Sequence, residues 1–473
     1  MQLIWFRQDL RIQDHTALWH ATQAGPCIAL IIISPEQWAL HHDSAVKIDF
    51  YLRQLQVFKT QLKNLNIALV IRRIPFWKDV PQGILQLTQQ FNINCIHANI
   101  ELGVNELKRD AQVQKTLDQY NKALELYHDR TLFPVGSIRN KSHQPYQVFS
   151  AFKKNCYERL SVSLPQCYPQ IEVQAALQLD SLDDQPVCTF ADLYPNQPSP
   201  ELQNRWPVSE EYALTLLDDF INDKVTHYEK ERDFPYLDST SQLSPYLNLG
   251  MISIRQCIQA LFRQQQGHFH IAHLGQQTWL DELLWREFYQ HILFDFPQVS
   301  KHQPFKADTK RIQWRDAPED LAAWQQGQTG IPIVDAGMRQ LLATGWMHNR
   351  VRMITAMFLT KNLLIDWRLG EQWFMQHLID GDLAANNGGW QWCASTGTDS
   401  APYFRIFNPV SQSQKFDANG DYIRQWVPEL AHLDAKTLHE PYARNSNLNL
   451  NYPKPIADLK QTRIRAIEAF KNI

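Results

Sequence analysis

Short apolar runs and longer amphipathic stretches alternate through the first third of the chain. β-branched and large apolar residues cluster at Leu3–Phe6, Ile28–Ser34, Ile67–Ile71, Ile93–His97 and Leu124–Tyr127. Each run has the length of a strand buried on both faces. Between them apolar residues recur at helical spacing, as in Lys47–Leu65 and Asn105–Tyr120. Strands alternating with helices predict a parallel sheet with helices on both faces, an α/β domain of Rossmann-like type. No G-x-G-x-x-G follows the first run, which argues against an ordinary dinucleotide site there.

From about Ser161 to Pro207 the chain is rich in Pro, Gln, Ser and Asp, and the periodicity fades. That composition reads as a long connection. Beyond it the pattern is helical almost throughout, with helix-compatible spacing over Trp279–Phe296, Val334–Thr344, Met347–Ile365 and Trp373–Leu378. The predicted organisation is an α/β domain over residues 1–133, an interdomain connection over 134–207 and an all-α domain over 208–473.

A chain of 473 residues with 44% hydrophobic content can fill several cores. Its longest apolar run, Cys27–Ile33, is far too short to span a bilayer, so no membrane partner is expected. The chain opens on Leu3-Ile4-Trp5-Phe6 and then charged residues, without the pattern of a cleaved leader. Seven cysteines, none in a C-x-x-C pair, speak against a disulfide framework and against a metal site. A reducing, cytoplasmic setting and a monomer are expected.

The net charge of −3 hides a strong asymmetry. Gln178–Asn222 carries nine acids and one base, whereas Lys301–Arg315 carries five bases and one acid, and Ala336–Trp373 five bases and two acids. An isolated charge run is ordinarily a solvated face. Here the basic residues interleave with Trp314, Trp346 and Trp367, a composition that suits nucleic acid. Of 15 tryptophans, ten lie between Trp279 and Trp426.

Three segments carry candidate chemistry. In Trp279-Leu-Asp-Glu-Leu-Leu-Trp-Arg-Glu-Phe-Tyr289, residues Glu282, Trp285, Arg286 and Tyr289 share one helical face. Together they can stack a base, bond its edge and hold a phosphate. In Gly345-Trp-Met-His-Asn-Arg-Val-Arg-Met353, residues Asn349, Arg352 and Met353 share a face, while Arg350 points to a different side, from which it could reach DNA. In Asp380-Gly-Asp-Leu-Ala-Ala-Asn-Asn-Gly-Gly-Trp-Gln-Trp392, glycines allow close approach to a flat ligand, flanked by two carboxylates, two amides and two indoles.

These segments resemble the flavin-binding half of the photolyase/cryptochrome family, most closely its bacterial cyclobutane dimer members. The likeness runs from Trp5-Phe-Arg-Gln-Asp-Leu-Arg11 to Tyr403-Phe-Arg-Ile-Phe-Asn-Pro409. It implies an N-terminal α/β domain and a C-terminal all-α domain holding FAD. By the same resemblance Tyr228 contacts FAD, Arg232 lies on the DNA side, and Thr240-Ser241-Gln242-Leu243-Ser244 cradles the pyrophosphate. Many relatives carry Arg where this chain has Gln242. Asp380, Gly381 and Asp382 match residues at the flavin, Arg352 pairs with Asp380, and Asn386 faces flavin N5. Trp390, Trp367 and Trp314 match a chain carrying electrons from the surface to the flavin. Glu282 and Trp285 meet the lesion, joined by Asn349 and Met353. Arg286, Tyr289, Arg350 and Trp392 complete the DNA-facing set. Asn105 and Glu106, with Lys301 as a further candidate, match the contacts of a folate antenna, 5,10-methenyltetrahydrofolate.

The resemblance implies light-driven repair of cyclobutane pyrimidine dimers in damaged DNA. The antenna passes excitation to reduced FAD, which gives one electron to a flipped-out dimer and recovers it. The alternative on the same scaffold is a cryptochrome, a blue-light sensor. Asn386 disfavours it, because plant cryptochromes have Asp there and many animal ones have Cys; so does the absence of a long tail after the last family segment.

Overall fold

The computed structural model describes residues 1–177, 186–444 and 449–471. Part of the acidic stretch and of the connection, residues 178–185, therefore lies outside the described residues. By internal contacts the chain forms two compact units. One comprises Met1–Thr226 with Ser241–Pro297, the other His227–Thr240 with Gln298–Ile473.

The first unit is built on a five-stranded parallel sheet, β1 (Gln2–Phe6), β2 (Cys27–Ile33), β3 (Leu69–Arg73), β4 (Cys95–Asn99) and β5 (Ala123–Tyr127), in the order β3-β2-β1-β4-β5. The α/β expectation holds, with β1 central and the strand order reversing between β1 and β4. One face packs Leu3, Trp5, Ile28, Leu30, Val70 and Ile96 against helical residues such as Ile84, Val113 and Leu117.

Two strands begin later than the apolar pattern indicated, and for the same reason. Helix α1 (Ala45–Asn64) and the helix Val80–Gln90 each end with an asparagine in the left-handed region, Asn66 (φ 57°) and Asn92 (φ 50°). The next amides, of Ile67 and Ile93, turn back to the Leu62 and Thr88 carbonyls at 3.0 and 2.9 Å. Helix termination takes these donors, so pairing starts two residues on.

Residues beyond the sheet are tied to it by buried charge. Arg11 grips both Asp129 oxygens (2.8 and 2.6 Å), while Arg255 donates to both oxygens of Asp14 (3.0 and 2.9 Å) and to Asp129 (2.8 Å). Burial alone would raise Asp129; Arg11 and Arg255 outweigh it and hold it well below the ordinary carboxylate range. Removing one member would strand a buried charge, at a cost of about 3–5 kcal/mol. Helix α3 (Leu274–Asp295) is pinned likewise: fully buried Glu287 accepts from the Leu132 and Phe133 amides at 2.9 and 3.0 Å. This places Ser241–Pro297 with the sheet, a different cut from the sequence boundary at 208.

The second unit is helical, as expected. Its core gathers α4 (Pro332–Thr344), α5 (Asn349–Met357), α6 (Trp367–His377) and α7 (Leu383–Ala394) around Trp324, Met338, Leu359, Trp367, Phe374 and Trp390. The expected helix Met347–Ile365 is not continuous. After α5 the backbone widens into a π-helical turn, Phe358–Asn362, and stops at Leu364 (φ 53°). Within that turn the Thr360 hydroxyl donates to the Ala356 carbonyl at 2.9 Å, the back-bonding that loosens helices. Helix α6 starts six residues before the expected Trp373, because Asp366 caps it, accepting from the Arg368 amide at 3.1 Å. The C-terminal α8 (Leu459–Lys471) packs against the π-helical turn. No described helix is long and apolar enough to cross a membrane.

Candidate functional site

On α3 the residues Leu283, Leu284, Glu287 and Phe288 are buried, whereas Glu282, Trp285, Arg286 and Tyr289 are half-exposed along the opposite face. The shared face predicted from spacing is therefore present. Trp285 stacks parallel on Phe149 with centroids 3.7 Å apart, and Tyr289 lies 5.6 Å from it. One indole face is thus fixed by packing. Arg286 donates to the Arg130 carbonyl at 2.7 Å, so it also braces α3.

Gln242 adopts φ 49° and Leu243 follows in right-handed conformation, ahead of the short helix Ser244–Asn248. A left-handed residue followed by a right-handed one turns successive amides to one side, a concavity suited to phosphate oxygens. This conformation belongs to the backbone, and glutamine adopts it here.

In the second unit Arg352 donates to both Asp380 oxygens (3.1 and 2.8 Å) and to the Met347 carbonyl (2.7 Å). The pair expected from the sequence is formed. Asp382 caps α7, accepting from the Ala385 amide at 2.8 Å. Gly381 backs onto its own chain, a Cβ there lying 3.3 Å from the Leu378 carbonyl, whereas beside Gly389 a Cβ would meet open space. Asn349 is exposed and Met353 half-buried. Arg350 is bound to Asp233 (2.7 Å) and lies 4.5 Å over Phe416, while Arg232 reaches the same carboxylate at 3.8 Å and lies 5.5 Å over Tyr228. Two of the arginines that the sequence assigned to the DNA side therefore share one acid.

Asn386 is oriented by a residue that sequence reasoning missed. Its side-chain amide donates to the Glu371 carbonyl at 2.9 Å, which turns its own carbonyl oxygen the other way. The buried Glu371 carboxylate accepts from Asn387 (3.1 Å) and meets His302 Nδ1 (3.2 Å), raising that imidazole above its usual value through the hydrogen bond. The signal was present: Trp367, Gly370, Glu371 and Phe374 form the buried stripe of α6, and a glutamate in such a stripe needs partners.

Trp390 and Trp367 are buried, 2% and 1% exposed, and Trp314 is half-exposed beside the same core. Gly370 makes room for Trp390, since a Cβ there would lie 2.1 Å from the indole. Trp392 is half-buried against the same core.

For the antenna candidates, Gly103 rather than Asn105 caps α2 (Val104–Asp118), and the Asn105 amide meets His41 Nε2 at 3.1 Å. His41 in turn stands edge-on to Trp77, 4.8 Å away. Trp77 helps line a cleft with Trp5, Arg7, Trp38, Tyr51 and Arg109. Burial, with Glu101 adding to it, pushes Glu106 up to about 7. The folded state therefore holds a proton there that the unfolded chain gives up above its ordinary value of 4.5. Stability supplied by that proton is present in acid and lost as pH rises through about 7. Glu106→Gln is expected to raise the melting temperature by about 2–4 °C at about pH 8.5 and leave it unchanged near pH 5, as calorimetry at both pH values would read. Lys301 lies exposed in the turn Val299–Lys301 of the other unit. Among the described residues no cluster of His, Cys, Asp or Glu forms a metal site.

The sequence matches the family model described as DNA photolyase over residues 2–170, and that described as the FAD binding domain of DNA photolyase over residues 279–472. The deoxyribodipyrimidine photo-lyase of Escherichia coli (strain K12) is 42% identical, covering 99% of this chain and 98% of its own.

The chain belongs to the DNA photolyase family.

A photolyase of the same name from Vibrio cholerae is 41% identical over 100% of this chain and 99% of its own. Among solved structures, a class III photolyase from Agrobacterium tumefaciens aligns with TM-score 0.85 at 33% identity, covering 100% of this chain and 97% of that one. A cryptochrome from Synechocystis aligns with TM-score 0.84 at 27% identity, covering 99% of each. The second unit of this photolyase contains most of the family's FAD-binding domain. The residues present fit FAD. In the second unit the Arg352–Asp380 pair offers a fixed polar edge, and a Cβ at Gly389 would meet nothing within 4 Å.

Proposed function

We propose that this photolyase repairs cyclobutane pyrimidine dimers in DNA, using light, with FAD held by Tyr228, Thr240, Arg352, Asp380, Asp382 and Asn386 of the second unit. The observation that carries the reading is the full-length likeness to relatives named deoxyribodipyrimidine photo-lyase. When bound and reduced, FAD supplies the photoexcited electron that opens the cyclobutane ring. The protein positions the lesion and excludes water. A base must leave the duplex to reach a buried cofactor, the general solution for enzymes of this kind, photolyases included. Trp285, already stacked on Phe149, offers its other face to the extruded pyrimidines, and Glu282 one turn away accepts from a pyrimidine N–H. Asn386, its amide committed to Glu371, presents a carbonyl oxygen that accepts a hydrogen bond and offers no proton. Trp314, Trp367 and Trp390 relay electrons inward from the surface.

A dark gel-shift with dimer-containing and undamaged oligonucleotides tests the substrate. Preferential binding of the damaged duplex in the dark and its release on illumination are expected. Equal affinity for both, with a stable light-induced spectral change, would favour the cryptochrome reading.

Asn105 and Glu106 are proposed to hold 5,10-methenyltetrahydrofolate as antenna, supported by the exposed Asn105 amide beside His41. Asn105→Ala combined with Glu106→Ala is expected to remove the near-ultraviolet antenna absorbance and leave FAD bound. Repair then needs more light for the same lesion. An unchanged antenna spectrum would refute the assignment.

A further inference from the structure

Lys361 lies in the π-helical turn Phe358–Asn362 with no exposed surface. Its ammonium donates to Ser395 Oγ at 2.8 Å and to the Ala394 carbonyl at 3.3 Å, and stands 3.5 Å from the centre of the Phe470 ring. No carboxylate pairs with it among the described residues. A charge buried without a counter-ion is costly. Burial pushes Lys361 down to about 7, Cys393 opposing and Lys306 adding to it.

The other charged groups nearby are already engaged. On α7, burial pushes the Cys393 thiol up to about 12, so it is neutral. On α8, Arg465 donates to the Asn362 carbonyl at 2.6 Å. Arg315 donates to the Leu363 carbonyl and Asp320 at 2.8 and 2.9 Å. On α6, Arg368 is paired with Asp366 and Glu371 with His302. Lys306 bonds Ser400 at 2.7 Å.

Phe470 also touches Trp314, edge-on, with centroids 6.3 Å apart. The ammonium and the outer indole thus rest on one ring, within about 10 Å of each other. We propose that Lys361 controls how long positive charge survives on Trp314, and so the yield of light-driven re-reduction of the cofactor. This rests on reading Trp390, Trp367 and Trp314 as an electron chain. Once Trp390 has lost one electron to the cofactor, Trp367 refills Trp390 and Trp314 refills Trp367. The oxidised group is then Trp314, a radical cation whose indole proton is lost to water. A charged Lys361 raises the energy of that cation and favours return of the electron; a neutral amine does not. Across about 10 Å at an effective dielectric of about 20, the difference is on the order of tenfold in the equilibrium.

The test is transient absorption of the holoprotein with FAD oxidised, read at the tryptophan radical band from about pH 6 to about pH 9. In the native protein the oxidised tryptophan is expected to persist on the order of tenfold longer at the alkaline end. In Lys361→Met it is expected to persist at every pH. Ser395→Ala, which removes an acceptor of the ammonium, is expected to move the midpoint to lower pH. A second readout is independent of light. Because the unfolded lysine keeps its proton up to its ordinary value of 10.5, the native protein gains stability as pH rises from about 7 towards it. Lys361→Met abolishes that gain in denaturant titrations. An identical pH response of the radical in native protein and Lys361→Met, or no response in either, overturns the proposal. So does an unmoved midpoint in Ser395→Ala, which decides the matter should Lys361→Met fail to fold. If no oxidised tryptophan forms in any of the three proteins, the electron chain itself is refuted, and the proposal with it.

Discussion

Trp367→Phe is expected to reduce photoreduction of oxidised FAD to the level of the dark control, while repair by chemically reduced enzyme stays within about twofold of native. Trp367 is 1% exposed at the first position of α6, as deeply buried as Trp390, whereas Trp314 is half-exposed. Phenylalanine fills most of the indole's volume, so the fold should survive a loss of about 1–3 kcal/mol. What disappears is the readily oxidised ring in the middle of the relay. Glu282 and Trp285, proposed to meet the lesion, lie on α3, and Asn386 on α7, so the substitution changes none of these side chains. Steady illumination with an external thiol, followed by the flavin spectrum, reads the first effect. Recovery of thymine in a repair assay after prior chemical reduction reads the second. Equal loss in both assays would show that Trp367 supports the site as a whole.

The second large effect is lesion choice. A cyclobutane dimer needs an electron in and out, whereas the six-four photoproduct also needs a proton moved back with an oxygen or nitrogen. Photolyases for that second lesion resemble this chain but carry two histidines in the segment that matches Gly345–Met353. Here those places hold Asn349 and Met353, neither able to donate a proton near neutral pH. The neighbouring His348 does not substitute. It caps α5, its Nδ1 accepting from the Arg350 amide at 3.2 Å, and burial pushes it down to about 4, so at neutral pH it is the uncharged imidazole and not the imidazolium that a proton donor needs. Turnover of a defined cyclobutane dimer with no measurable six-four repair is expected when two oligonucleotides are illuminated in parallel and read by chromatography. Comparable rates on both would show that another group supplies the proton.

What was legible in the sequence follows from which forces act locally. The five strands were visible because a sheet covered on both faces demands continuous apolar runs. Their starting residues were not, because the amides of Ile67 and Ile93 close the preceding helices, a hydrogen-bond choice that hydrophobicity does not record. The face of α3 followed from helical periodicity alone. The break after α5 did not, since Met347–Ile365 keeps its apolar spacing through the π-helical turn. Residues whose roles depend on partners far along the chain were the hardest. Glu371 reaches Asn386 and His302, and Lys361 reaches Ser395 and Phe470. Arg255 meets Asp14 across 241 positions. In each case a charged residue inside an apolar stripe was the trace left in the sequence, and its partner became identifiable once the chain was folded.

Light-dependent splitting of the dimer tests the central claim most directly. Holoprotein with FAD reduced is mixed with an oligonucleotide holding one thymine cyclobutane dimer, half the sample is illuminated with near-ultraviolet to blue light, and thymine absorbance is followed. Absorbance is expected to recover in the light, with many dimers opened per protein, and to stay flat in the dark. No recovery in the light, from protein whose spectrum confirms reduced flavin, would contradict the assignment of this chain as a dimer-repairing photolyase.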